Sequence, residues 1–311
     1  MIDWPTTALV FPGQGSQHVG MSADLVQQYP AAAQTFEQAD ELLGFSLSKL
    51  CFEGPAETLD ETINTQPALY VAGIATLHIL EATHGPAPLA VAGHSLGELT
   101  ALTAAGALPF EAGVKLVRER GRLMKEAGEK NPGAMAALLG VELADVRDIC
   151  QQASTQTGKP VVVANDNCPG QVVISGDSQA LDTALEIAKG RGVKRAVKLA
   201  VSIAAHSPLM AHSSAAFQQA LSQVPFEAPR VPVIGNVNAA PLRTREDIQA
   251  ELHAQLTSSV RWTESVQALQ ALGVKTFLEL GPKDVLTGLL RRIDRAANGV
   301  AVNSIEAISS L

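Results

Sequence analysis

Ser95 is flanked by glycines at the spacing that presents a hydroxyl for attack on a carbonyl. The segment Gly93-His94-Ser95-Leu96-Gly97 follows the apolar run 89–92 and opens into 98–105, which contains no helix breaker. A strand, a sharp turn and a helix in this order form a nucleophile elbow, which holds the serine Oγ out at the turn. The first free N–H groups of the new helix, that of Leu96 among them, then face an oxyanion formed on the attacked carbonyl.

The same residues have a structural interpretation that competes with catalysis. Ser95 and Glu98 have the spacing of a capping box, in which the serine only caps the helix. The bare Gly-x-Ser-x-Gly pattern also arises by chance in roughly one chain in ten of this length. The strand before the serine and the Ala-rich helix after it favour the catalytic interpretation.

His206 is the histidine best placed to act as a general base. It follows a predicted strand and precedes Ser207 and Pro208, which are typical of a helix start, so a rigid frame presents its side chain in a loop. Taken alone, such a histidine is more often structural. Paired with a serine elbow it becomes the natural base. His94 is the closest rival, but adjacent side chains at a turn usually diverge in direction.

Arg120 is the one charged residue on the apolar face of a helix predicted over 110–128. An unpaired buried guanidinium is very unfavourable, so Arg120 needs an internal carboxylate or a ligand anion. A structural ion pair is the commoner arrangement in general. The proximity of this helix to the elbow favours the ligand.

The elements around these residues predict an α/β fold with a large α/β-hydrolase-like body and a mostly parallel sheet, formed by residues 1–131 and 200–311. Its first strand, 8–11, ends in a Gly-containing loop, 12–17, whose backbone N–H groups can face a ligand. We expect residues 298–311 to form a surface tail. The other predicted elements are helices over 22–43 and 55–63, a helix capped by Thr65 with Pro67 in its first turn, a strand at 231–237, helices over 245–256 and 261–272, a strand at 276–280 and a helix over 283–292.

Residues 132–199 are predicted to form a small subdomain inserted into that body. The order β-α-β-β-α-β is that of a ferredoxin-like split βαβ fold. The predicted strands are 134–139, 161–163, 172–174 and 193–201, and the predicted helices are 142–155 and 178–190.

The end of this insertion carries a basic patch in a chain of net charge −8. No acid stands between its five cations. Such a run is usually solvated surface, and the alternative is a docking site for an acidic protein partner. The patch consists of Lys189, Arg191, Lys194, Arg195 and Lys198.

The composition of the chain limits which classes of protein it can belong to. A length of 311 residues with 46% hydrophobic and 17% charged residues indicates a globular chain of about two domains. The negative net charge argues against a nucleic-acid binder. Cys51, Cys150 and Cys168 are an odd number without a C-x-x-C pair, so we expect core thiols rather than disulfides or a metal site. With no basic-then-apolar leader and no apolar run that could span a bilayer, the sequence predicts a cytoplasmic protein without a membrane partner.

Several motifs in a fixed order cover nearly the whole chain, and together they resemble the malonyl-CoA:acyl carrier protein transacylases of bacterial fatty acid synthesis, which are related to polyketide synthase acyltransferase domains. Motifs in one order are far more specific than any one of them. The matching segments are 11–17 (FPGQGSQ), 65–69 (TQPAL), 93–98 (GHSLGE), 120–121 (RG), 133–137 (GAMAA), 169–176 (PGQVVISG), 206–210 (HSPLM) and 279–282 (ELGP).

This resemblance implies roles that agree with those inferred from the residues above. Ser95 would be acylated by the thioester, and His206 would take its proton and return one to the leaving thiol. The backbone N–H groups of Gln14 and Leu96 would form the oxyanion hole. Arg120 would bind the free malonyl carboxylate in a bidentate pair.

The resemblance also implies how the base is oriented and which partners take part. A backbone carbonyl, mapped to Arg261, would orient His206 in place of a third carboxylate. The partners would be malonyl-CoA and an acyl carrier protein, with no metal or bound cofactor, and the chain would act as a monomer. The sequence leaves open whether the carrier serves fatty acid synthesis, polyketide synthesis or a malonate-processing complex.

Ala205 is a departure from the family pattern, because many malonyl-selective members carry an aromatic residue immediately before the catalytic histidine. A smaller residue leaves room for an α-substituent, so we hypothesise that methylmalonyl-CoA is also accepted.

Two other functions compete with the transacylase. A serine esterase or thioesterase shares the elbow and the base but has no use for Arg120, and a noncatalytic acyl-binding or scaffold subunit does not require Ser95 and His206 together.

Overall fold

A six-stranded sheet and a four-stranded sheet organise the computed structural model, which describes residues 2–311. The strands are β1 (Thr7–Phe11), β2 (Ala90–Gly93), β3 (Gly133–Leu139), β4 (Val161–Cys168), β5 (Gln171–Asp177), β6 (Arg195–Lys198), β7 (Val233–Ile234), β8 (Pro241–Leu242), β9 (Thr276–Leu280) and β10 (Asn298–Val302).

Fourteen α-helices surround these sheets within the described range. They are α1 (Ala23–Gln28), α2 (Pro30–Leu43), α3 (Leu47–Glu53), α4 (Ala56–Leu59), α5 (Thr62–Thr83), α6 (Leu96–Ala104), α7 (Phe110–Lys130), α8 (Leu143–Thr157), α9 (Ser178–Gly190), α10 (Ala211–Ser222), α11 (Arg245–Gln255), α12 (Trp262–Ala271), α13 (Val285–Ile293) and α14 (Ile305–Ser309).

The large sheet has the order β10-β9-β1-β2-β7-β8 and is parallel except at its last pair, β7 with β8. β1 is buried along its whole length because helices cover both faces of the sheet. Leu9 and Phe11 pack into the core on one face, and Ala8 and Val10 pack into the core on the other. This arrangement confirms the predicted α/β fold with a mostly parallel sheet.

The carboxyl ends of β1 and β2 meet, since Phe11 and Gly93 are register partners. Open α/β sheets bind ligands at this edge. The Gly-containing loop that follows β1 and the elbow that follows β2 therefore lie side by side.

The small sheet has the order β4-β5-β3-β6 and is antiparallel, with α8 and α9 packed on one face. The order β-α-β-β-α-β confirms the ferredoxin-like topology. The amide of Asp166 donates to the carbonyl of Val260, and the Val260 amide donates to Ala164, so β4 is joined to the large body by backbone hydrogen bonds. The division of the chain at residues 132 and 199 stays a prediction.

The helix expected to start at Thr65 begins instead at Thr62, so Pro67 lies inside α5. A proline there removes the N–H that would bond the carbonyl of Ile63. Arg118 replaces that donor, because its Nη1 donates to Ile63 O at 2.7 Å. The long-range contact satisfies the carbonyl, which is why the helix continues through the proline.

The expectation of a surface tail over 298–311 is wrong. β10 adds a parallel strand beside β9, and α14 follows it. Val302 and Ile308 are buried in the core. β10 forms by pairing with the edge of β9, a non-local contact that the short apolar run 300–302 does not indicate by itself.

Other observations concern the cysteines and long helices. All three cysteines are free and buried, as expected of core thiols. Among residues 2–311, no helix combines the length and the apolar character needed to cross a bilayer.

Candidate active site

The Ser95 turn has the geometry of a nucleophile elbow. Ser95 has a φ of 52°, a left-handed value that is strained for a residue other than glycine. A Cβ on Gly93 would lie 1.9 Å from Gly97 O, and a Cβ on Gly97 would lie 2.1 Å from Phe11 O, so strand and helix approach as closely as only glycine permits. The Ser95 side chain makes no capping hydrogen bond, and the capping-box interpretation is therefore wrong.

The Ser95 hydroxyl contacts the imidazole of His206. The distance from Ser95 Oγ to His206 Nε2 is 2.8 Å. On the other side of the ring, Nδ1 lies 2.9 Å from the carbonyl oxygen of Gln255 and 3.2 Å from that of Ser258. Both carbonyls only accept, so Nδ1 carries the hydrogen and Nε2 is free to accept the hydroxyl proton.

The prediction that the backbone carbonyl of Arg261 orients His206 is wrong. Arg261 O accepts the amide and the hydroxyl of Ser265 within α12. Gln255 and Ser258 take that role because they lie at and beyond the end of α11, where carbonyls lack the regular helical bond to the amide four residues ahead. The predicted helix end near residue 256 is the one signal in the sequence that points to them.

His206 is buried, and burial lowers its pKa to about 3, with the neighbouring cation Arg120 as the second cause. The imidazole is therefore neutral near neutral pH. His94, the rival base, points elsewhere: its Nε2 lies 2.8 Å from Asn167 Oδ1 and its ring packs against Trp262.

Arg120 lies on the buried face of α7, as the sequence predicts, and is 1% exposed. Its Nη1 donates to Gln66 Oε1 at 2.8 Å, and its Nη2 donates to Gln255 Oε1 at 2.9 Å and to Ser95 Oγ at 3.2 Å. Its Nε has no partner among the described residues. The helix reaches this position because Gly121 allows α7 to pack against the backbone of Ile63.

No carboxylate among residues 2–311 forms an ion pair with Arg120. Burial lowers its pKa to about 10, and Glu98 acts in the opposite direction. The guanidinium thus stays charged at neutral pH. The structural ion pair that competed with ligand binding is absent from the described part of the chain.

Two backbone N–H groups next to Ser95, those of Gln14 and Leu96, have no acceptor among the described residues. The loop that holds Gln14 is pressed against the elbow, since a Cβ on Gly13 would lie 2.6 Å from the backbone oxygen of His94. The Gln14 side chain is held by Thr62. Both N–H groups are therefore available to a negatively charged oxygen.

Asn236 and Gln255 hold the elbow in place, and the sequence reasoning missed both. Asn236 Oδ1 accepts the Ser95 amide at 2.7 Å, and its Nδ2 donates to Gly93 O at 2.8 Å. Gln255 Nε2 donates to Ser95 O at 3.0 Å. A polar residue just beyond a buried strand, as Asn236 lies two residues after β7, is the signal that could have indicated the first of them.

Ala205 and the basic patch lie at different depths. Ala205 is half-buried and packs against the cores of both sheets.

The five cations of the basic patch are exposed. Arg191 pairs with Asp148 and Lys198 with Asp182, whereas the remaining three make no ion pair within residues 2–311. In the described chain, no group of three histidine, cysteine or carboxylate side chains is arranged to hold a metal.

Comparison with known proteins gives a consistent result. Residues 8–306 match the family model described as acyl transferase domain. The chain is 45% identical over 301 residues to the malonyl CoA-acyl carrier protein transacylase of Bacillus subtilis (97% of this chain, 94% of that protein). It is 42% identical over 303 residues to the protein of the same name from Escherichia coli K12, with 97% of each chain covered.

Solved structures agree in both fold and sequence. The malonyl-CoA:acyl carrier protein transacylase of Xanthomonas oryzae superposes with a TM-score of 0.95 at 43% identity, covering 98% of this chain and 97% of that one. A malonyl-transacylase solved in complex with its type II PKS acyl-carrier protein gives a TM-score of 0.95 at 40% identity and 98% coverage of both chains.

Proposed function

Because the chain belongs to the acyl transferase family, among the malonyl CoA-acyl carrier protein transacylases, we propose that it transfers a malonyl group from malonyl-CoA to the phosphopantetheine thiol of an acyl carrier protein in two steps. The intermediate is a malonyl ester on Ser95. The supply of malonyl units to fatty acid or polyketide synthesis is part of the proposal.

In the first step, Ser95 Oγ attacks the thioester carbonyl while His206 Nε2 takes the hydroxyl proton. The tetrahedral oxyanion accepts hydrogen bonds from the N–H groups of Gln14 and Leu96. In other enzymes, removal of one such donor lowers the rate about 10²- to 10³-fold. The C–S bond then breaks, and His206 returns the proton to the CoA sulfur. The 2.8 Å contact between Oγ and Nε2 supports this role.

In the second step, the phosphopantetheine thiol takes the place of CoA. His206 removes the thiol proton, the thiolate attacks the Ser95 ester, and the proton returns to Oγ as the C–O bond breaks. Nucleophile, base and oxyanion donors are all protein groups, so the proposed chemistry calls for no metal or bound cofactor.

The observation that carries the proposal is the placement of Ser95 Oγ between a neutral imidazole and a buried cation, 2.8 Å from His206 Nε2 and 3.2 Å from Arg120 Nη2. A simple ester has no group for that cation. A malonyl group has a carboxylate at the far end of the acyl chain, which a guanidinium binds in a bidentate pair. This favours malonyl transfer over an esterase or thioesterase.

The malonyl carboxylate also has an electrostatic effect on the base. Arg120 is one cause of the low pKa of His206. When a carboxylate neutralises the guanidinium, that effect weakens and the imidazole becomes a stronger base. Substrate binding thus prepares His206 for proton transfer.

We propose that an acidic surface of the carrier docks on the basic patch. Lys189, Lys194 and Arg195 are exposed and make no ion pair among the described residues, and Val197 on β6 is an exposed apolar side chain between cations. Charges of this kind steer an acidic partner, and an apolar contact holds it once it has arrived. We also propose that the protein acts as a monomer in the cytoplasm.

Intact-mass measurement tests the two-step transfer. Mixed with malonyl-CoA alone, the protein is expected to gain the mass of one malonyl group, and Ser95→Ala is expected to gain none. Addition of a phosphopantetheinylated carrier should remove the adduct and malonylate the carrier. Release of free malonate at the same rate without a carrier would indicate a thioesterase, and an unmodified protein that transfers nothing would indicate a noncatalytic subunit.

A further inference from the structure

The loop that carries Gln14, the proposed oxyanion donor, is a β-turn with a weak bond of its own. The turn covers residues 13–16, and the Ser16 amide donates to Gly13 O at 3.4 Å, which is long for such a hydrogen bond. Gly15 is exposed and has a φ of 106°, a left-handed value that glycine adopts without strain. Side-chain contacts are therefore needed to fix the orientation of the turn.

Both backbone polar groups of Gly15 are held by side chains. Gln17 Oε1 accepts the Gly15 amide at 2.7 Å, and Gln17 Nε2 donates to Asp60 Oδ1 at 2.8 Å. Lys283 Nζ donates to Gly15 O at 2.9 Å. The first contact comes from within the loop, whereas the second ties the residue next to Gln14 to a distant part of the chain.

Lys283 lies in the loop after β9, and this loop is packed against the loop after β1. Gly281 has a φ of 128°, and a Cβ there would lie 3.3 Å from Pro12 Cγ. Asn303, which follows β10, donates its Nδ2 to Lys283 O at 2.8 Å. Because β10, β9 and β1 are parallel neighbours in the large sheet, the loops at their carboxyl ends meet. Lys283 thus reaches Gly15 from a fixed backbone.

The backbone conformation of Lys283 is unfavourable for a lysine. Its φ is 64°, a left-handed value at which glycine is free of strain and a residue with a Cβ is not. The side chain is exposed, and none of the ion pairs within residues 2–311 includes it. Gly15 O is the one hydrogen-bond partner of the ammonium in the described chain. Since strain of this kind is concentrated at functional sites, the contact with Gly15 O is the feature that gives this lysine a role.

We propose that Lys283 is a positioning residue for the oxyanion hole. Its hydrogen bond fixes the Gly15 carbonyl, and with it the turn, so that the Gln14 N–H keeps its direction toward the oxyanion. Lys283 acts through the turn and not on the substrate. This role rests on the proposed acylation of Ser95, because an oxyanion hole matters only where an oxyanion forms.

Lys283→Met tests the hydrogen bond, because methionine keeps the Cβ and most of the length but has no N–H to donate. The rate constant for acylation of Ser95 at saturating thioester is expected to fall about three- to tenfold, since one hydrogen bond to the loop is lost. The thioester concentration at half of the maximal rate should stay the same, because the oxyanion forms only during the reaction. The loss should be equal for malonyl-CoA and acetyl-CoA. Rapid quenching followed by intact-mass measurement gives the rates for both.

Ser22→Gly is the matched control, with Lys283→Gly beside it. Ser22 has a φ of 62°, lines the same cavity of about 330 Å³ as Lys283, and makes no side-chain capping bond. Glycine relieves the same backbone strain at both positions, but only Lys283→Gly also removes the donor. Lys283→Gly should therefore lose acylation as Lys283→Met does, and Ser22→Gly should be acylated at the rate of the unmodified protein.

Three results would overturn the proposal while leaving the proposed function intact. The first is an unchanged acylation rate in Lys283→Met, and the second is an equal loss in Ser22→Gly, which would assign the effect to the backbone. The third is a loss confined to malonyl-CoA, which would place Lys283 in recognition of the carboxylate. If the unmodified protein forms no ester on Ser95 with either thioester, the proposed function fails, and the role of Lys283 fails with it.

Discussion

The guanidinium of Arg120 touches Ser95 Oγ, so its removal separates recognition of the acid from the chemistry. Arg120→Ala should lower kcat/KM for malonyl-CoA at least about 10²-fold, because a buried carboxylate left without its partner costs about 3 to 5 kcal/mol. Acetyl transfer should suffer much less. The measurement is kcat/KM for both thioesters. The control is Arg122→Ala, since Arg122 lies on the same helix with a half-exposed side chain that pairs with Glu119. Equal losses for both acyl groups would mean that Arg120 is only structural.

The same variant should change the pH dependence of the base. Arg120 lowers the pKa of His206, so its replacement by alanine removes a repelling cation and raises that pKa. His206 must be neutral to take a proton, and a higher pKa means that activity is lost at a higher pH on acidification. The acid limb of kcat/KM for acetyl-CoA should therefore move to higher pH. If the acid limb of kcat/KM does not move, the charge of Arg120 does not affect the pKa of His206.

Ala205 precedes His206 and is half-buried between the two cores, where a larger side chain would narrow the space beside the base. We expect methylmalonyl-CoA to be used with a kcat/KM within about 10³ of that for malonyl-CoA, since one methyl group changes binding by only about 1 to 3 kcal/mol. Ala205→Phe should raise the preference for malonyl-CoA. A stronger preference than about 10³ in the unmodified protein would refute the idea.

At the residue scale, the side chains of the site could be predicted, and the carbonyl that orients the base could not. Ser95, His206 and Arg120 have reactive or charged side chains in recognisable sequence contexts, and the structure places all three side chains together. The acceptor for His206 Nδ1 is a main-chain carbonyl, which every residue has. No residue type reveals it, which explains the error at Arg261.

At the scale of elements, the elbow depends on the close approach of α6 to β1. A Cβ on Gly97 would lie 2.1 Å from Phe11 O and 2.8 Å from Phe11 C, and neither backbone atom can move away without shifting the sheet. Gly97→Ala should destabilise the protein by about 1 to 3 kcal/mol and reduce acylation of Ser95. Urea unfolding and intact mass measure the two effects.

Gly288 provides the matched control for that change. It is an exposed glycine in the interior of α13, and a Cβ there would meet nothing within 4 Å. Gly288→Ala should stabilise the protein by about 0.4 to 1 kcal/mol, because it reduces the entropy of the unfolded chain. If both variants lost stability equally, the close contact at Gly97 would not be the cause.

Elements with a regular apolar period could be predicted, and those held by distant contacts could not. The face of α7 follows from helical periodicity, and the strands of the small sheet follow from short apolar runs. The start of α5 depends on Arg118, which is more than fifty residues away in sequence. β10 forms because the edge of β9 is free to pair with it, and no local sequence pattern indicates this pairing.

At the scale of the whole molecule, a chain of net charge −8 that binds an acidic surface of its carrier, as proposed, needs a local exception to its own charge. The exception is the basic patch at one edge of the small sheet, where β6 is exposed along its length. Reversal of Lys194 and Arg195 to glutamate should raise KM for the carrier about tenfold, because like charges then meet across the interface. Acylation of Ser95 by malonyl-CoA does not involve the carrier and should be unchanged.

Lys275→Glu is the control for position, because it reverses one exposed cation just before β9, at the opposite end of the strands from the active site. KM for the carrier is measured at low and at high salt. In the unmodified protein it should rise with salt, since screening weakens attraction between exposed charges, and in the double variant this dependence should be weaker. If Lys275→Glu raised KM as much as the double variant, the carrier would be responding to net charge and the patch would not be its docking site.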